Sequence, residues 1–249
     1  MNHSVWAVIP ARFGSTRFPG KPLVPILGKE LLAWVVQGVK AAKLVDQVLV
    51  ATDDTRIADL AKRCGAMVAM TDSNLPSGTD RIWAAAKESS AGVILNVQGD
   101  EPLVTGGTVD SLVAPMLADL DLEMATLAHP AAREDLANPN AVKVIVNRKQ
   151  DAIYFSRFGI PYSRQSFSAD DGLAFRHVGM YAFRRAFLQK FCDQPPTKLE
   201  LAESLEQLRA LHLGARIRVI PTSNPAWGVD TPEDILVIEK IMSEQGRSA

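Results

Sequence analysis

The chain has 249 residues, of which 47% are hydrophobic and 22% are charged, and its formal net charge at pH 7 is −1. This composition is typical of a globular protein with a substantial core. A charge so close to zero provides no global field for binding nucleic acid or an anionic membrane. No apolar run approaches the roughly 20 residues of a membrane helix, and Cys64 and Cys192 make neither a disulfide framework nor a metal site. We therefore expect a cytoplasmic enzyme or binding protein without nucleic-acid or membrane partners.

Short apolar runs alternate with helical patterns in the first half of the chain. The sequence predicts strands at 5–9, 47–51, 66–70 and 92–97, and helices at 30–42, 55–63 and 79–87. Apolar runs without alternation, separated by helices, indicate a parallel sheet that is covered on both faces. The expected fold class is therefore α/β, with a doubly wound, mostly parallel central sheet. In such sheets ligands bind beyond the carboxyl ends of the strands.

The second half has a different pattern, with strands predicted at 123–129, 141–146, 152–157, 177–183 and 216–220. Turns rich in Asn, Pro and Ser join these strands, which favours a more mixed sheet. Leucines on one face predict a helix over 199–213, and a closing helix over 231–242 begins with Thr231 as its N-cap and Pro232 at its first position. The polar segment 163–172 is predicted to be a surface loop. We expect 1–249 to form a single α/β domain in which 123–220 is a smaller mixed-sheet lobe.

The segment 10–22, which reads PARFGSTRFPGKP, follows the first predicted strand directly. Its two glycines allow the backbone to approach a ligand closely, and successive N–H groups in such a loop bind anions. Arg12, Arg17 and Lys21 supply cationic side chains for phosphate oxygens. The segment is not a Walker loop, because no hydroxyl residue follows Lys21. The alternative is an ordinary solvated loop, but the pattern favours a polyphosphate site.

Two aspartates stand where a magnesium–triphosphate site requires carboxylates. One follows a buried strand, and the other precedes a helix. Asp100 stands in NVQGDEP, where Gln98 is also expected to face the ligand crevice, and Asp230 stands in GVDTPED. Mg²⁺ takes one or two carboxylates together with phosphate oxygens and water. The alternatives are a polar turn residue for Asp100 and an acid favoured near a helix N-terminus for Asp230.

Three further groups of residues are less specific indicators of a binding site. The segment 77–81, SGTDR, opens a helix whose free N–H groups and hydroxyls would read a nucleobase or bind an anion, although simple N-capping explains them equally well. His177 and Tyr181 share one face of a predicted strand. Glu203 and Glu206 share one face of the helix predicted over 199–213. Each pair is also compatible with a structural or solvated role.

The motifs PARFGSTRFPGKPL, SGTDR, NVQGDEP, NPNAVK, YFSR, SLEQLR and GVDTPED occur in this order. Over about residues 5–239 the chain resembles the CMP-Kdo synthetases, the 3-deoxy-manno-octulosonate (Kdo) cytidylyltransferases. The resemblance implies a Rossmann-like fold of the nucleotide-diphospho-sugar transferase type. It also implies transfer from CTP to Kdo, giving CMP-Kdo and pyrophosphate for lipopolysaccharide biosynthesis. The related CMP-sialate synthetases typically continue their opening loop toward a lysine–asparagine pair, whereas this chain has FPGKPL.

The resemblance further implies a homodimer, with 123–220 as the sugar-binding and dimerisation lobe, and Mg²⁺ as cofactor on Asp100 and Asp230. It assigns nucleotide binding to Pro10, Ala11, Arg12, Lys21, Asp53, Ser77, Gly78, Arg81 and Gln98. It assigns sugar binding to Gln98, Arg157, His177, Tyr181, Glu203 and Glu206. Arg12, Lys21, Asp100 and Asp230 would serve catalysis by positioning the phosphates and offsetting their charge. Arg157 and His177 are the candidates for the sugar carboxylate.

Alternatives remain at the level of the substrate and of catalysis itself. The first alternative acceptor is 8-amino-Kdo or another nonulosonate, because only a few pocket residues would have to change. Transfer of a different nucleotide onto a sugar phosphate or polyol phosphate is a second alternative, although those relatives commonly have another opening loop. A non-catalytic nucleotide-binding protein is a third, and it predicts loss of Lys21, Asp100 or Asp230, all of which are present.

Overall fold

The computed structural model describes residues 4–14, 18–162, 164, 172–223 and 227–247, so Arg17 and most of the predicted loop 163–172 lie outside the described residues. The strands are β1 (Val5–Ala11), β2 (Pro25–Ile26), β3 (Lys29–Glu30), β4 (Gln47–Thr52), β5 (Met67–Met70), β6 (Val93–Asn96), β7 (Met124–Pro130), β8 (Lys143–Val146), β9 (Ala152–Ser156), β10 (Phe175–Arg184) and β11 (Ile217–Pro221). The helices are α1 (Leu31–Lys40), α2 (Thr55–Arg63), α3 (Gly78–Ala86), α4 (Gly106–Ala118), α5 (Arg133–Ala137), α6 (Arg185–Cys192), α7 (Lys198–Glu203), α8 (Gln207–His212) and α9 (Pro232–Glu244). A 3₁₀ turn covers Lys21–Leu23.

One compact unit comprises Met1–Val113 and Ala226–Ala249. Its sheet has the strand order β6–β1–β4–β5, and these neighbouring strands run parallel. Strand β6 is buried at every position and β1 at most positions, as expected of strands that are covered on both faces. The predicted α/β fold with a mostly parallel sheet is therefore confirmed.

Local sequence signals set the boundaries of the elements in this unit. Helix α2 begins after Asp54, whose side chain accepts a hydrogen bond from Arg56 N, and Gly65 lies just past its end with a φ of 72°. Both are the expected cap positions. In the parallel register Ala11 at the end of β1 pairs with Thr52 at the end of β4. The loops that follow these strands therefore leave from the same edge of the sheet.

A close approach between α1 and the segment before α4 depends on one glycine. A Cβ atom at Gly38 would lie 2.2 Å from the backbone oxygen of Val104. Because a backbone oxygen cannot rotate away as a side-chain end can, only glycine fits here without movement of the segment.

The second compact unit comprises Ala114–Pro225. Strand β7 pairs parallel with β11 and antiparallel with β10, while β8 pairs antiparallel with β10 and β9. This is the mixed sheet that the sequence predicts for the second half. The pairing of β10 with β7 shifts between Val178 and Tyr181, where β10 contains a bulge. The predicted lobe 123–220 lies within this unit, and its binding and dimerisation roles stay predictions.

The single helix predicted over 199–213 is wrong, because the chain forms α7 and α8 with a break at Ser204. Ser204 adopts a left-handed conformation with a φ of 51°. The carbonyl of Glu203 accepts a hydrogen bond from Arg157 Nε at 2.7 Å, so a side chain takes the acceptor that a continuing helix would use. Glu203 therefore ends α7 while Glu206 precedes α8. The predicted shared helical face of the two glutamates is wrong for the same reason.

The structure also contains helices that the sequence patterns do not predict, namely α4, α5 and α6. Helix α4 contains Pro115, a residue that normally signals a helix boundary. Among the described residues, no helix has both the length and the apolar character needed to cross a bilayer.

We predict that Gly38→Ala lowers the free energy of unfolding by about 1–3 kcal/mol, because the added methyl group overpacks the contact with Val104. Chemical denaturation of the purified protein measures this. Gly107→Ala is the matched control, since a Cβ there would meet Thr105 Oγ1 at 3.9 Å. The control should be neutral or gain up to about 1 kcal/mol. Equal stability of the two variants would contradict the packing argument.

Candidate active site

Lys21 connects three segments of the first unit through its ammonium group. It follows Gly20, whose φ of 73° turns the chain into the 3₁₀ turn. Lys21 Nζ lies 2.5 Å from Asp100 Oδ2 and 3.8 Å from Asp230 Oδ1. It also donates a hydrogen bond to the Val229 carbonyl at 2.7 Å. Three residues that the sequence analysis selected separately thus meet at one point.

Backbone contacts hold the two aspartates in this arrangement. Val229 N donates to the Asp100 carbonyl at 2.9 Å. The N–H groups of Asp230 and Thr231 both donate to Asp234 Oδ2 at 2.8 Å. Thr231 is the N-cap of α9 and is followed by proline at the first helical position, as predicted. The start of α9 therefore fixes the backbone on both sides of the Asp230 side chain.

A cleft of about 260 Å³ in the first unit collects most of the predicted nucleotide site. It lies beyond the carboxyl ends of β1 and β6, where ligands bind in sheets of this kind. Its walls are formed by Pro10, Ala11, Arg12, Lys21, Pro22, Leu75, Pro76, Ser77, Gly78, Arg81, Gln98, Gly99, Asp100 and Asp230.

The N-terminus of α3 forms one wall of this cleft. Ser77 is the N-cap, and its hydroxyl accepts from Asp80 N at 3.1 Å and donates to Asp80 Oδ2 at 2.8 Å. The capping interpretation of Ser77 is thus confirmed, while its backbone and side chain still border the cleft. A helix N-terminus directs N–H groups and a partial positive charge at whatever anion lies before it.

Arg81 is 3% exposed and carries a buried guanidinium to the cleft wall. It donates to Thr71 Oγ1 at 2.5 Å and lies 3.7 Å from Asp53 Oδ2. Asp53 in turn accepts from Phe13 N at 3.3 Å. Asp53 contacts Arg81 and Phe13 and is not among the residues that line the cleft. Its predicted role in nucleotide binding would therefore operate through these two neighbours.

Glu101 is a buried acid that the sequence patterns did not single out. Its side chain follows Asp100 directly and is 8% exposed as a residue. Burial, and secondly the charge of Asp100, raise the pKa of Glu101 to about 8. At neutral pH Glu101 is therefore mainly protonated, which leaves Asp100 without a second negative charge beside it. A nearby cation would favour the ionised form of Glu101.

The donor set at Asp100 and Asp230 suits a magnesium ion that also binds phosphate. Both carboxylates face one cation, Lys21 Nζ, so they converge on a common region. Hard carboxylate oxygens in this number, with phosphate and water completing the shell, are what Mg²⁺ uses in nucleotide sites. Within the described residues, no group of three or more His, Cys, Asp or Glu side chains gathers as a self-sufficient metal site. Binding of Mg²⁺ by the two aspartates stays a prediction.

In the second unit Glu203 links α7 to β9. It accepts hydrogen bonds from Ser156 Oγ at 2.7 Å, Arg157 N at 2.8 Å and Tyr154 OH at 3.3 Å. Burial alone would raise the pKa of Glu203, but these hydrogen bonds together lower it. Glu203 is thus an ionised carboxylate with both oxygens already engaged. That geometry supports a role in holding the neighbouring residues in place.

Arg157 is held by three backbone carbonyls. Besides the Glu203 carbonyl, its guanidinium donates to Pro139 O at 3.0 Å and to Ser204 O at 3.3 Å. The Arg157 carbonyl accepts a hydrogen bond from Lys143, a lysine with no exposed surface. Desolvation lowers the pKa of Lys143. The predicted contact between Arg157 and a sugar carboxylate would therefore have to use the guanidinium edge left by these bonds.

His177, Tyr181 and Gln207 form a second polar group in this unit. The His177 ring packs edge-on against Phe155 with centroids 5.1 Å apart and tilts against Tyr181 at 5.4 Å. Tyr181 OH donates to Gln207 Oε1 at 3.1 Å. Within the described residues Gln207 Nε2 is buried without a hydrogen-bond partner, a state that a ligand commonly relieves. Gln207 was not predicted, although it lies in the SLEQLR motif.

A parallel sheet with a cationic loop, a helix N-terminus and two carboxylates around one cleft is the arrangement of a nucleotide-dependent transferase. The profile of the cytidylyltransferase family matches residues 6–217. The 3-deoxy-manno-octulosonate cytidylyltransferase of Bdellovibrio bacteriovorus is 53% identical over 242 residues, covering 96% of this chain and 98% of that protein. The protein of the same description from Geobacter metallireducens is 44% identical over 247 residues, covering 95% and 97%.

Solved structures give the same result. A structure of CMP:2-keto-3-deoxy-manno-octonic acid synthetase complexed with CTP superposes with a TM-score of 0.92 at 40% identity, covering 97% of this chain and 99% of that one. A cytidylyltransferase from Leptospira borgpetersenii, with a TM-score of 0.68, 20% identity and coverage of 98% and 88%, shares the fold. The chain therefore belongs to the 3-deoxy-manno-octulosonate cytidylyltransferase family.

The environment of His177 predicts a specific loss of stability in acid. Burial lowers the pKa of His177 to about 3 from an ordinary value of 6.5. Between these values the unfolded chain binds a proton that the folded chain does not, so stability falls as the pH drops below 6.5. The contribution is at most about 1.4 kcal/mol per pH unit. Urea denaturation from pH 7 to pH 5 should show a steeper loss for the wild type than for His177→Gln. Parallel curves would contradict the assigned pKa.

Proposed function

We propose that the protein transfers the cytidylyl group of CTP to 3-deoxy-manno-octulosonate, giving CMP-Kdo and pyrophosphate. The observation that carries this proposal is the convergence of Lys21, Asp100 and Asp230 at one cleft. It occurs in a chain that matches relatives of this activity over nearly their whole length. A cytoplasmic location and a place in lipopolysaccharide biosynthesis are part of the proposal.

The cleft residues divide the recognition of CTP between them. Lys21 and Arg12 supply positive charge for the triphosphate, since both border the cleft beside the end of β1. Ser77, Gly78 and Arg81 at the start of α3 also line the cleft, and they would provide N–H, hydroxyl and guanidinium groups for the base and ribose. Reactions of this class need positioning and charge neutralisation more than covalent catalysis. The anomeric hydroxyl of the sugar would attack the α-phosphate in line with the departing pyrophosphate.

Asp100 and Asp230 are the residues that would hold Mg²⁺. When bound, the ion would offset phosphate charge and lower the pKa of the attacking hydroxyl. The chain itself keeps both carboxylates in place through Lys21 and the Val229 backbone. At neutral pH Glu101 is protonated, so it adds no negative charge beside Asp100 and Asp230.

The second unit is proposed to bind the sugar through His177, Tyr181, Gln207 and Glu206. Support comes from the buried and unpartnered Gln207 Nε2, a donor suited to a hydroxyl or carboxylate oxygen. Arg157 and Glu203 act mainly by holding each other and the turn at Ser204. Gln98 lines the nucleotide cleft of the first unit and remains a proposed substrate contact.

We also propose that the protein is a homodimer formed through its second unit. Phe158 is 79% exposed and Tyr162 is 88% exposed. Large aromatic side chains at such exposure are typical of a surface that a partner covers. The second copy of this chain is the occupant that the family resemblance supports.

Light scattering should therefore give a mass of twice the 27.0 kDa chain. Phe158→Asp should shift this mass towards the monomer, because a charge would be buried in the interface. Leu236→Asp is the matched control, since Leu236 is 71% exposed on α9 in the other unit. Retention of the dimer in Phe158→Asp, or its loss in both variants, would contradict the assigned surface.

The test of the activity is magnesium-dependent release of pyrophosphate from CTP with Kdo, 8-amino-Kdo or N-acetylneuraminate as acceptor. We expect rapid release with Kdo, because the relatives with this activity match along nearly the entire chain. Preference for 8-amino-Kdo would retain the mechanism and change the acceptor. Absence of release with every acceptor, from folded protein that binds CTP, would contradict the proposal.

Asp100→Asn tests the site within the same assay. Loss of the carboxylate should lower kcat by about 100-fold or more, the range found when a preorganised electrostatic contact is removed. Asp59→Asn is the control, because Asp59 is an exposed aspartate on α2 whose side chain is 66% accessible. The control should retain wild-type kinetics. Near-normal turnover in Asp100→Asn would remove Asp100 from the mechanism.

A further inference from the structure

A bulge in β10 surrounds the hydroxyl of Thr126 with acceptors. Tyr181 pairs with Thr126, whereas Val178 pairs with Leu127, so two extra residues of β10 lie opposite one step of β7. Bulges of this kind re-aim groups near functional sites. Here the carbonyls of Val178 and Met180 both turn towards Thr126 Oγ1, at 3.2 and 2.9 Å. Thr126 itself has no exposed surface.

The same hydroxyl lies 2.9 Å from His177 Nε2. A threonine hydroxyl has one proton to donate and two lone pairs to accept with. If that proton pointed at His177, two carbonyl oxygens would face the Thr126 oxygen with no hydrogen between them. Donation to one of the carbonyls leaves only one such contact, so the geometry favours Thr126 as the acceptor and His177 Nε2 as the donor.

We propose that Thr126 fixes the tautomer of His177, so that Nε2 carries the proton and Nδ1 presents a lone pair that accepts a hydrogen bond from a hydroxyl group of the acceptor sugar. Thr126 is then a positioning residue that acts through His177. Within the described residues His177 Nδ1 has no hydrogen-bond partner. The rings of Phe155 and Tyr181 hold the imidazole plane on two sides.

This inference deepens the proposed function and rests on it for the identity of the ligand. It changes the role that the sequence suggested for His177, because an imidazole whose only proton is already donated to Thr126 offers nothing to a carboxylate. An acceptor nitrogen selects a donor, and the hydroxyl groups of a sugar are donors. Gln207 Nε2, reached through Tyr181, supplies the complementary donor nearby.

The first experiment measures the tautomer directly and does not involve activity. Long-range proton–nitrogen NMR of protein labelled with ¹⁵N at histidine distinguishes the two neutral forms, with His177→Gln identifying the signal. We expect the Nε2–H form in the wild type and in Thr126→Ser. Thr126→Val removes the acceptor without a large change of volume and should give a mixture of tautomers. An Nδ1–H form in the wild type, or an unchanged signal in Thr126→Val, would overturn the proposal.

The second experiment asks whether the tautomer matters for the sugar. Thr126→Val should raise KM for Kdo in proportion to the loss of the Nε2–H form that the spectrum shows, about twofold for an even mixture of tautomers. KM for CTP should stay unchanged, and Thr126→Ser should restore the wild-type value. Unchanged KM for Kdo would overturn the role in binding even if the tautomer is as expected. Should Thr126→Val fail to fold, the wild-type and Thr126→Ser spectra still decide the tautomer.

Different results would overturn the proposed function and the role of Thr126. Absence of turnover with Kdo in the wild type, together with the Nε2–H form, would overturn the proposed function and with it the identity of the bound hydroxyl. Turnover with Kdo together with an Nδ1–H form would leave the function intact and overturn the role of Thr126.

Discussion

The ammonium group of Lys21 is the interaction on which the active-site cleft depends. It contacts Asp100, Asp230 and the Val229 carbonyl, and the last of these is separated from it by 208 positions in the chain. Two carboxylates in one region repel each other, and a cation between them offsets that repulsion. Lys21 is only 14% exposed, so solvent screens these contacts less than it would at the surface. Protonated Glu101 keeps a third negative charge out of the group.

The net charge of Lys21, Asp100 and Asp230 also determines how much further positive charge a bound triphosphate would require. One lysine facing two carboxylates leaves this group with a net negative charge. Positive charge for a triphosphate therefore has to come from Arg12 and Arg81 in the cleft wall and from the partial charge at the N-terminus of α3. On the proposed function Lys21 serves the phosphates, so Asp100 and Asp230 then need a second cation. On that proposal Mg²⁺ would balance the charge of the two carboxylates when Lys21 contacts the phosphates.

Sequence patterns were sufficient where local signals decide the structure. Helix α2 was predicted with its observed bounds because a capping aspartate at 53 or 54 and Gly65 mark its ends, and the structure shows that Asp54 is the cap. The leucines of the second half fit one continuous helix equally well, and the break at Ser204 arises from Arg157, which is distant in sequence. Patterns identified Lys21 as cationic but not its partners, because contacts across 79 and 208 positions leave no local signal.

On the proposed function, the second unit would recognise a polar ligand with few available charges. Glu203 and Arg157 already satisfy each other and the backbone around them, so neither offers a bare charge whose desolvation a ligand must offset. Among the groups left for recognition, the His177 ring and the Gln207 amide are neutral. Neutral donors and acceptors that are buried discriminate strongly, because a ligand lacking the matching hydroxyl leaves them unpaired. On the proposed function the selectivity of this unit would rest on the direction of its hydrogen bonds, and Thr126 would determine one of those directions through a single proton.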